Sequence, residues 1–244
     1  MKFSFILAFD VVAKQTRIII ANEKLYVEKS YMGEPGFIKW YLIAASNLLI
    51  GVYPFKTKPI ERMEQEVLFF KHKESCFNKP DVIIADYINM RLVREFISGE
   101  TYRFNAPPHI HYKVSEELGK CHASGWSLGD TKVSNFVYTG DKVYVVDAEQ
   151  AIREGKLEYQ AWDLLLLIST LSIDGYTKAL HQESERERVF KLVLDGYAAG
   201  NPEHLEVFKL LKSPQFRHLV FLLVPFPLSL VFYRKLEEHV SSKL

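Results

Sequence analysis

Short runs rich in β-branched and aromatic residues dominate the N-terminal part of the chain, and the turn-like pair Asn22-Glu23 separates two of them. Runs of this kind, bounded by polar turn residues, are typical of β-strands. They predict strands at Phe3–Phe9, Thr16–Ala21, Lys24–Tyr31, Asp81–Tyr87 and Met90–Ile97.

Two stretches between these strands have the periodicity of helices. A helix is expected from Phe37, and another over Pro59–His72, where Met63 and Val67 recur at helical spacing. Pro59 suits the start of the second helix because proline is tolerated in the first turn.

After Gly99 the pattern changes. A helix is predicted over His111–Ala123, and the segments Phe136–Tyr138 and Lys142–Val146 read as the two strands of a hairpin. From Tyr159 onward the pattern predicts one helix after another.

This order of elements sets the expected fold class. Strands first and helices later indicate an α+β protein with two lobes. We expect residues 1–98 to form a β-rich N-terminal lobe and residues 99–244 to form a mainly helical C-terminal lobe.

The composition is that of an ordinary soluble globular protein, with 48% hydrophobic and 25% charged residues among 244. Lys and Arg number 31 against 30 Asp and Glu, so the net charge of +1 gives no indication of a nucleic-acid partner. Cys76 and Cys121 lack the spacing of a metal site and predict reduced thiols in a cytoplasmic protein.

Two apolar runs bear on membrane association. Trp40–Phe55 is short and contains polar residues, and Leu219–Tyr233 is interrupted by Pro225 and Pro227. A spanning helix needs about 20 consecutive apolar residues. Buried helices are therefore expected, with peripheral contact at the inner face of a membrane as the alternative.

Candidate chemistry is concentrated between His122 and Ala151. Asp130 and Asn135 stand five residues apart with Lys132 between them, and the predicted hairpin then leads to Asp147. Phosphoryl transfer needs a carboxylate to orient the attacking hydroxyl, hard oxygen ligands for Mg²⁺ and a cation near the transferred group. These side chains supply all three.

The segments GDTKVSN and VVDAE resemble the catalytic loop and the metal-binding motif of the protein-kinase-like superfamily. The resemblance is to compact atypical members: the kinase of the KEOPS complex, RIO kinases and lipopolysaccharide core heptose kinases. It implies ATP with Mg²⁺ or Mn²⁺ as cofactors. It also implies catalytic roles for Asp130 and Lys132, and metal binding by Asn135 and Asp147.

The resemblance extends to other parts of the chain. It implies that Lys29 binds the nucleotide phosphates and that Glu66 holds this lysine, with Glu64 as a rival on the same helix. The run LVREFISG resembles the strand that enters the hinge, which would place the adenine against the main chain from Glu95 to Ile97. Asp163 matches the aspartate that braces the catalytic loop.

The chain departs from the superfamily at three points. No glycine precedes Gly33, and Leu128 replaces the histidine of the catalytic triplet. The segment between Asp147 and Asp163 is too short for a long activation segment. Two hypotheses follow. The first is an active kinase that transfers the γ-phosphoryl group of ATP to a hydroxyl of a protein or a glycolipid. The second is a pseudokinase that serves as a nucleotide-binding or scaffold module in a protein complex.

Four further residues carry expectations from their own context. Glu149 is either a second metal ligand or a surface partner of Arg153. His122 is expected to be a structural histidine on the buried side of its helix. His109 and His111 lack further ligands for a metal site, and we expect them in a loop.

Overall fold

The computed structural model of the chain describes residues 16–32, 51–72, 76–177 and 182–241. The predicted strand Phe3–Phe9 and the helix expected from Phe37 lie outside these residues, as does residue range 40–50 of the first apolar run. Every structural statement below concerns the described residues.

An antiparallel sheet forms the N-terminal part of the described chain. It consists of β1 (Thr16–Ala21), β2 (Lys24–Ser30), β3 (Val82–Asp86) and β4 (Arg91–Glu95), in the order β1-β2-β4-β3. These strands agree with the prediction to within one or two residues at each end.

Helix α1 (Pro59–Lys71) packs against β3 and β4. It begins at its proline, as predicted, and buries the apolar side chains of Met63 and Val67. The same helix also buries Arg62 and Glu66, two charged residues one helical turn apart. Because charged side chains are rarely buried without partners, this face of α1 must meet other charges.

A second sheet follows, of three strands in the described chain: β5 (Glu100–Thr101), β6 (Phe136–Thr139) and β7 (Lys142–Val145). Helix α2 (Pro108–Ala123) lies between β5 and β6 in sequence. The hairpin of β6 and β7 matches the prediction.

The start of α2 corrects one expectation. The helix predicted over His111–Ala123 begins three residues earlier, at Pro108, so the loop expected at His109 and His111 is wrong and both residues lie near the start of the helix. Pro108 is the start signal that the prediction missed, since proline fits the first helical position. His111 is buried, and its Nδ1 lies 2.8 Å from the Tyr102 hydroxyl.

After a loop over residues 146–156, the described chain is mainly helical. Its helices are α3 (Leu157–Asp174), α4 (Glu183–Gly200), α5 (His204–Lys212), α6 (Pro214–Leu223) and α7 (Leu228–Ser241). Helices α2 and α4 approach each other closely through glycines. A Cβ atom at Gly196 would lie 2.2 Å from the main-chain oxygen of Tyr112, and one at Gly200 would lie 2.1 Å from that of Glu116.

The second apolar run is divided between α6 and α7. Leu219 and Phe232 are buried, as predicted, whereas Leu222 and Phe226 are largely exposed. Among the described residues no helix has both the length and the apolar character to cross a membrane.

Cys76 and Cys121 are free thiols, both buried, with their sulfur atoms 2.9 Å apart. The predicted fold class is confirmed: a small antiparallel sheet comes first, and a mainly helical part follows.

Candidate active site

The β6–β7 hairpin brings Asn135 and Asp147 to one end. Phe136 pairs with Val145 across the ladder, and the N–H of Val146 donates to the main-chain oxygen of Asn135 over 2.9 Å. Asn135 immediately precedes β6, and Asp147 follows β7 by two residues. The register therefore places the amide and the carboxylate at the same open end of the hairpin.

Asp130 is joined to this end through Asn135. The Nδ2 group of Asn135 donates to the main-chain oxygen of Asp130 over 2.7 Å. This bond does not use the side-chain oxygen of Asn135, which can act as a metal ligand. The Lys132 ammonium lies 3.1 Å from the Asp130 carboxylate. The structure thus brings Asp130, Lys132 and Asn135 together, as the sequence predicted.

Lys29 lies among three carboxylates. Its ammonium nitrogen is 2.7 Å from Glu66, 2.9 Å from Asp147 and 3.2 Å from Glu149. Burial by itself would lower the pKa of Lys29, but the charges of Asp147, Glu149 and Glu66 together raise this pKa well above its usual range. The lysine is therefore charged at neutral pH.

On helix α1, Glu66 and not Glu64 is the residue that contacts Lys29. Glu66 is fully buried, and the Tyr31 hydroxyl donates a short hydrogen bond to its carboxylate, whereas Glu64 is exposed. Burial raises the pKa of Glu66, and the positive charge of Lys29 opposes that shift. Of the two predicted candidates, only Glu66 reaches the cluster.

Asp147 is ionised over the whole physiological range. Burial would raise the pKa of this carboxyl group, but Lys29 and Lys132 outweigh that effect and lower its pKa to about 2. An ionised carboxylate and an amide oxygen at the same end of the hairpin are a suitable ligand pair for Mg²⁺.

The carboxylate of Asp163 holds the loop that leads to Asp130. Its carboxylate accepts hydrogen bonds from the main-chain N–H groups of Leu128 at 2.6 Å and Gly129 at 2.7 Å. His122 lies 3.1 Å from the same carboxylate and 2.7 Å from the Tyr197 hydroxyl, so its surroundings are those of a buried structural histidine. Because Asp163 binds main-chain groups, the brace does not depend on which side chain stands at position 128.

Glu95 and Ile97 lie at the end of β4 and just beyond it. Tyr26 pairs with Glu95 and Lys29 pairs with Leu92, so Glu95 lies three residue pairs, or about 10 Å, along the ladder from Lys29. The N–H of Glu95 donates to the main-chain oxygen of Asp81 over 2.9 Å. The carbonyl oxygen of Glu95 accepts a hydrogen bond from the Arg94 guanidinium over 3.3 Å, so both main-chain groups of Glu95 have a partner.

Two charged residues of the cluster were missed from the sequence. Arg62 is fully buried, and its guanidinium lies 3.4 Å from Glu149. Arg94 is buried in β4 and donates to the main-chain oxygen of Val146 over 2.7 Å. The sequence of this strand, RLVRE, does not single out Arg94, because three of its five residues are charged.

Glu149 was left between two alternatives, a metal ligand and a surface partner of Arg153. It is 3% exposed, so it lies inside the charged cluster and not on the surface. Carboxylate oxygens of Glu66, Asp147 and Glu149 all come within 4.8 Å of one another. These three carboxylates lie around the ammonium of Lys29, so the hard oxygens that fit a divalent cation are those of Asp147 and Asn135.

Comparison with known proteins supports the resemblance read from the motifs. Residues of the chain are 33% identical over 132 positions to the KEOPS complex subunit Bud32 of Pyrococcus abyssi, a match that covers 51% of this chain and 57% of that protein. They are 33% identical over 91 positions to a probable bifunctional tRNA threonylcarbamoyladenosine biosynthesis protein of Methanosarcina mazei, covering 37% of this chain and 17% of that protein.

The chain is a homologue of these protein-kinase-like proteins. It spans little more than half of the Pyrococcus relative and about a sixth of the Methanosarcina one. A solved structure of WaaP in complex with acyl carrier protein is similar with a TM-score of 0.41 and 13% identity, covering 91% of this chain and 83% of that one. No family model matches the chain.

Proposed function

We propose that this protein is an ATP- and Mg²⁺-dependent phosphotransferase that transfers the γ-phosphoryl group of ATP to a hydroxyl group. In this proposal Asp130 and Lys132 are catalytic, and Asn135 and Asp147 hold the metal, for which Mn²⁺ could substitute. Lys29, positioned by Glu66, binds the nucleotide phosphates, and the main chain of Glu95 and Ile97 contacts the adenine.

The observation that carries the proposal is the position of Lys29. Its ammonium joins Glu66 on α1 to Asp147 after β7. The lysine and glutamate come from residues 1–98, whereas Asp130, Asn135 and Asp147 come from residues 99–244. In this proposal the two ranges form separate lobes, and the nucleotide binds between them.

Each residue has a role that follows from its chemistry. A bound Mg²⁺ would neutralise charge on the phosphates and orient them. Asp130 lies close enough to Lys132 for the pair to act together, the carboxylate orienting the acceptor hydroxyl and the ammonium offsetting charge on the transferred group. Lys29 is charged and buried, so its interaction with a phosphate would be strong.

The acceptor and the cellular setting are also proposals. The acceptor is a hydroxyl of a protein or of a glycolipid. The Pyrococcus relative is a KEOPS complex subunit, which favours a protein complex as the partner of this chain. We propose a cytoplasmic location, with peripheral contact at the inner face of a membrane as the alternative.

A pseudokinase that binds nucleotide or partners without transfer is the second candidate. Leu128, where the superfamily has histidine, is the observation that favours it. Leu128 is buried with its N–H bound to Asp163, so the substitution leaves the brace intact but removes an imidazole from the catalytic loop.

Thermal stability with Mg²⁺ and ATP, followed by ATP hydrolysis with water as the acceptor, tests both candidates. An active kinase should be stabilised by Mg²⁺-ATP and should release phosphate from it. A pseudokinase that binds nucleotide should be stabilised by Mg²⁺-ATP without releasing phosphate. The variant Asp147→Asn should lose the stabilisation by Mg²⁺-ATP. Asp141→Asn is the matched control, because Asp141 is 95% exposed at the hairpin turn and should behave as the wild type. Equal stabilisation of wild type and Asp147→Asn would refute the proposed function.

A further inference from the structure

The residues just before helix α1 lie against the loop that carries Asp147. We call residues 51–58 the strap. The buried side chain of Gln150 forms two hydrogen bonds with the main chain of Lys56, a residue of the strap. Its Oε1 accepts from the N–H of Lys56 over 2.7 Å, and its Nε2 donates to the carbonyl oxygen of Lys56 over 3.0 Å. The amide thus pairs with Lys56 as a neighbouring strand would.

Tyr53 is the second anchor of the strap. Its buried hydroxyl donates to the main-chain oxygen of Gln150 over 2.7 Å and lies 3.3 Å from that of Ser127. The strap therefore contacts both the loop before Asp130 and the loop after Asp147. These two loops supply the proposed catalytic and metal-binding residues.

The ring of Tyr53 also lies directly over Gly129. A Cβ atom at Gly129 would be 2.4 Å from Cε1 of this ring, and the residue has a φ of +73°, a conformation that favours glycine. Gly129 immediately precedes Asp130, so the ring limits the positions that the Asp130 main chain can take.

The turn after Asp147 is held from two sides. Lys29 and Arg62 contact Glu149 from the sheet and from α1, while Tyr53 and Lys56 contact Gln150 from the strap. Gln150 is fully buried, so the hydrogen bonds of its side chain to Lys56 are shielded from competing water. The position of Asp147 thus depends on Gln150 as well as on the lysine.

We propose that Gln150 is a positioning residue, which holds the metal ligand Asp147 in place by binding the strap. The inference rests on the proposed function. Small displacements of reacting groups are costly in such sites, since a shift of about 1 Å can reduce the rate roughly 100-fold. The strap is covalently continuous with α1, so the same contact fixes the helix that presents Glu66 to Lys29.

The variant Gln150→Ala tests this role, with two readouts. The first is hydrogen exchange at the Lys56 amide, which should become faster because its acceptor is gone. The second is the Mg²⁺ concentration that half-saturates ATP binding, which should rise roughly 10-fold or more, while binding of ATP without metal stays the same. Where ATP is hydrolysed, kcat should fall roughly 10- to 100-fold.

Two further variants complete the experiment. Tyr53→Phe removes the hydroxyl that binds Gln150 but keeps the ring over Gly129, so it should raise the half-saturating Mg²⁺ concentration by a smaller factor. This variant replaces Gln150→Ala in the experiment if Gln150→Ala does not fold. Ser169→Ala is the control for a merely structural loss: it removes a buried side-chain bond of 2.7 Å to the oxygen of Leu223, and it should leave the Mg²⁺ dependence unchanged.

The outcomes separate the inference from the function on which it rests. Faster exchange at Lys56 with an unchanged Mg²⁺ dependence would overturn the positioning role and leave the proposed function standing. Unchanged exchange at Lys56 would overturn the contact itself. A wild-type protein that binds no Mg²⁺-ATP would refute the proposed function, and the inference with it.

Discussion

The ammonium group of Lys29 lies 2.7 Å from the carboxylate of Glu66, and both side chains are buried. This contact joins strand β2 to helix α1 next to Asp147. Removing one member of a buried ion pair leaves the other charge uncompensated, whereas removing both can cost much less. The pair therefore offers a direct test of how the cluster is held together.

Replacing Lys29 by Met or Glu66 by Gln should each lower the free energy of unfolding, by about 3–5 kcal/mol for the lysine variant, because buried charges lose their partner. The double variant should lose less than the sum of the two single losses. Urea denaturation of the four proteins measures the interaction free energy.

The matched control is the pair of Arg17 and Glu28, which are 3.0 Å apart on the exposed strands β1 and β2. Exposed ion pairs contribute only about 0.2–1 kcal/mol. If the losses at Lys29 and Glu66 are additive, or if the Arg17–Glu28 pair shows an equal coupling, the buried pair is not the element that joins β2 to α1.

Asp163→Asn should destabilise the protein by about 2–4 kcal/mol, because an amide cannot accept both the Leu128 and the Gly129 N–H groups as the carboxylate does. The catalytic loop should lose its fixed position as well, so Mg²⁺-dependent ATP hydrolysis should fall at temperatures where the variant is folded. Thermal denaturation and initial rates measure the two effects.

Asp174→Asn, at the end of the same helix, is the control for this change. Asp174 accepts a main-chain hydrogen bond from Phe104 over 2.9 Å, which asparagine can keep. The change removes only the charge that faces the largely exposed Arg103 at 3.5 Å, so the loss of unfolding free energy should stay below about 1 kcal/mol. Equal losses for Asp163→Asn and Asp174→Asn would show that Asp163 is not a brace.

Asp147 should show no titration between pH 4 and pH 8, since its pKa is lowered to about 2. The unfolded pKa of an aspartate is about 3.9, so the stability contributed by the ionised form is complete above that pH and is lost as the pH falls towards the folded pKa. Carbon NMR of labelled aspartates measures the titration midpoint of the Asp147 carboxyl group, and the variant Asp147→Asn assigns its signal. A midpoint near pH 4 or higher would mean that Lys29 does not pair with this carboxylate as described.

Gly196→Ala should lower the free energy of unfolding by about 1–3 kcal/mol, although alanine is the better helix former. The added methyl group meets the main-chain oxygen of Tyr112 on α2, which can move only if the helices separate. Gly155→Ala is the control, because the nearest atom to its new Cβ is 4.0 Å away. A neutral Gly196→Ala would show that α2 and α4 are not in such close contact.

Local sequence patterns were sufficient for most of the elements that carry the site. The strand β1 (Thr16–Ala21) was predicted to the residue, and the spacing of Asp130, Asn135 and Asp147 predicted their convergence through a hairpin. These features depend on residues that are close in sequence: turn residues, the alternation of apolar and polar residues in a strand, and the reversal of the chain in a tight hairpin. Such information is present in any short window of the chain.

The contacts that the sequence did not predict join residues far apart along the chain. Gln150 binds Lys56, and Arg62 binds Glu149; nothing in the local pattern of either segment indicates its partner. Arg62 lies on a helix that also carries the exposed Glu64, and nothing in the spacing of the two residues separates the buried charge from the exposed one. The burial of such residues is decided by how the sheet, α1 and the hairpin pack, which periodicity does not specify.

A structure of the protein with Mg²⁺ and a non-hydrolysable ATP analogue tests the proposed site most directly. We expect an ion bound by Asp147 and Asn135 at the roughly 2.1 Å that Mg²⁺ requires, with the ammonium of Lys29 on a phosphate oxygen. A nucleotide bound elsewhere, or an ion that touches neither Asp147 nor Asn135, would contradict this proposal.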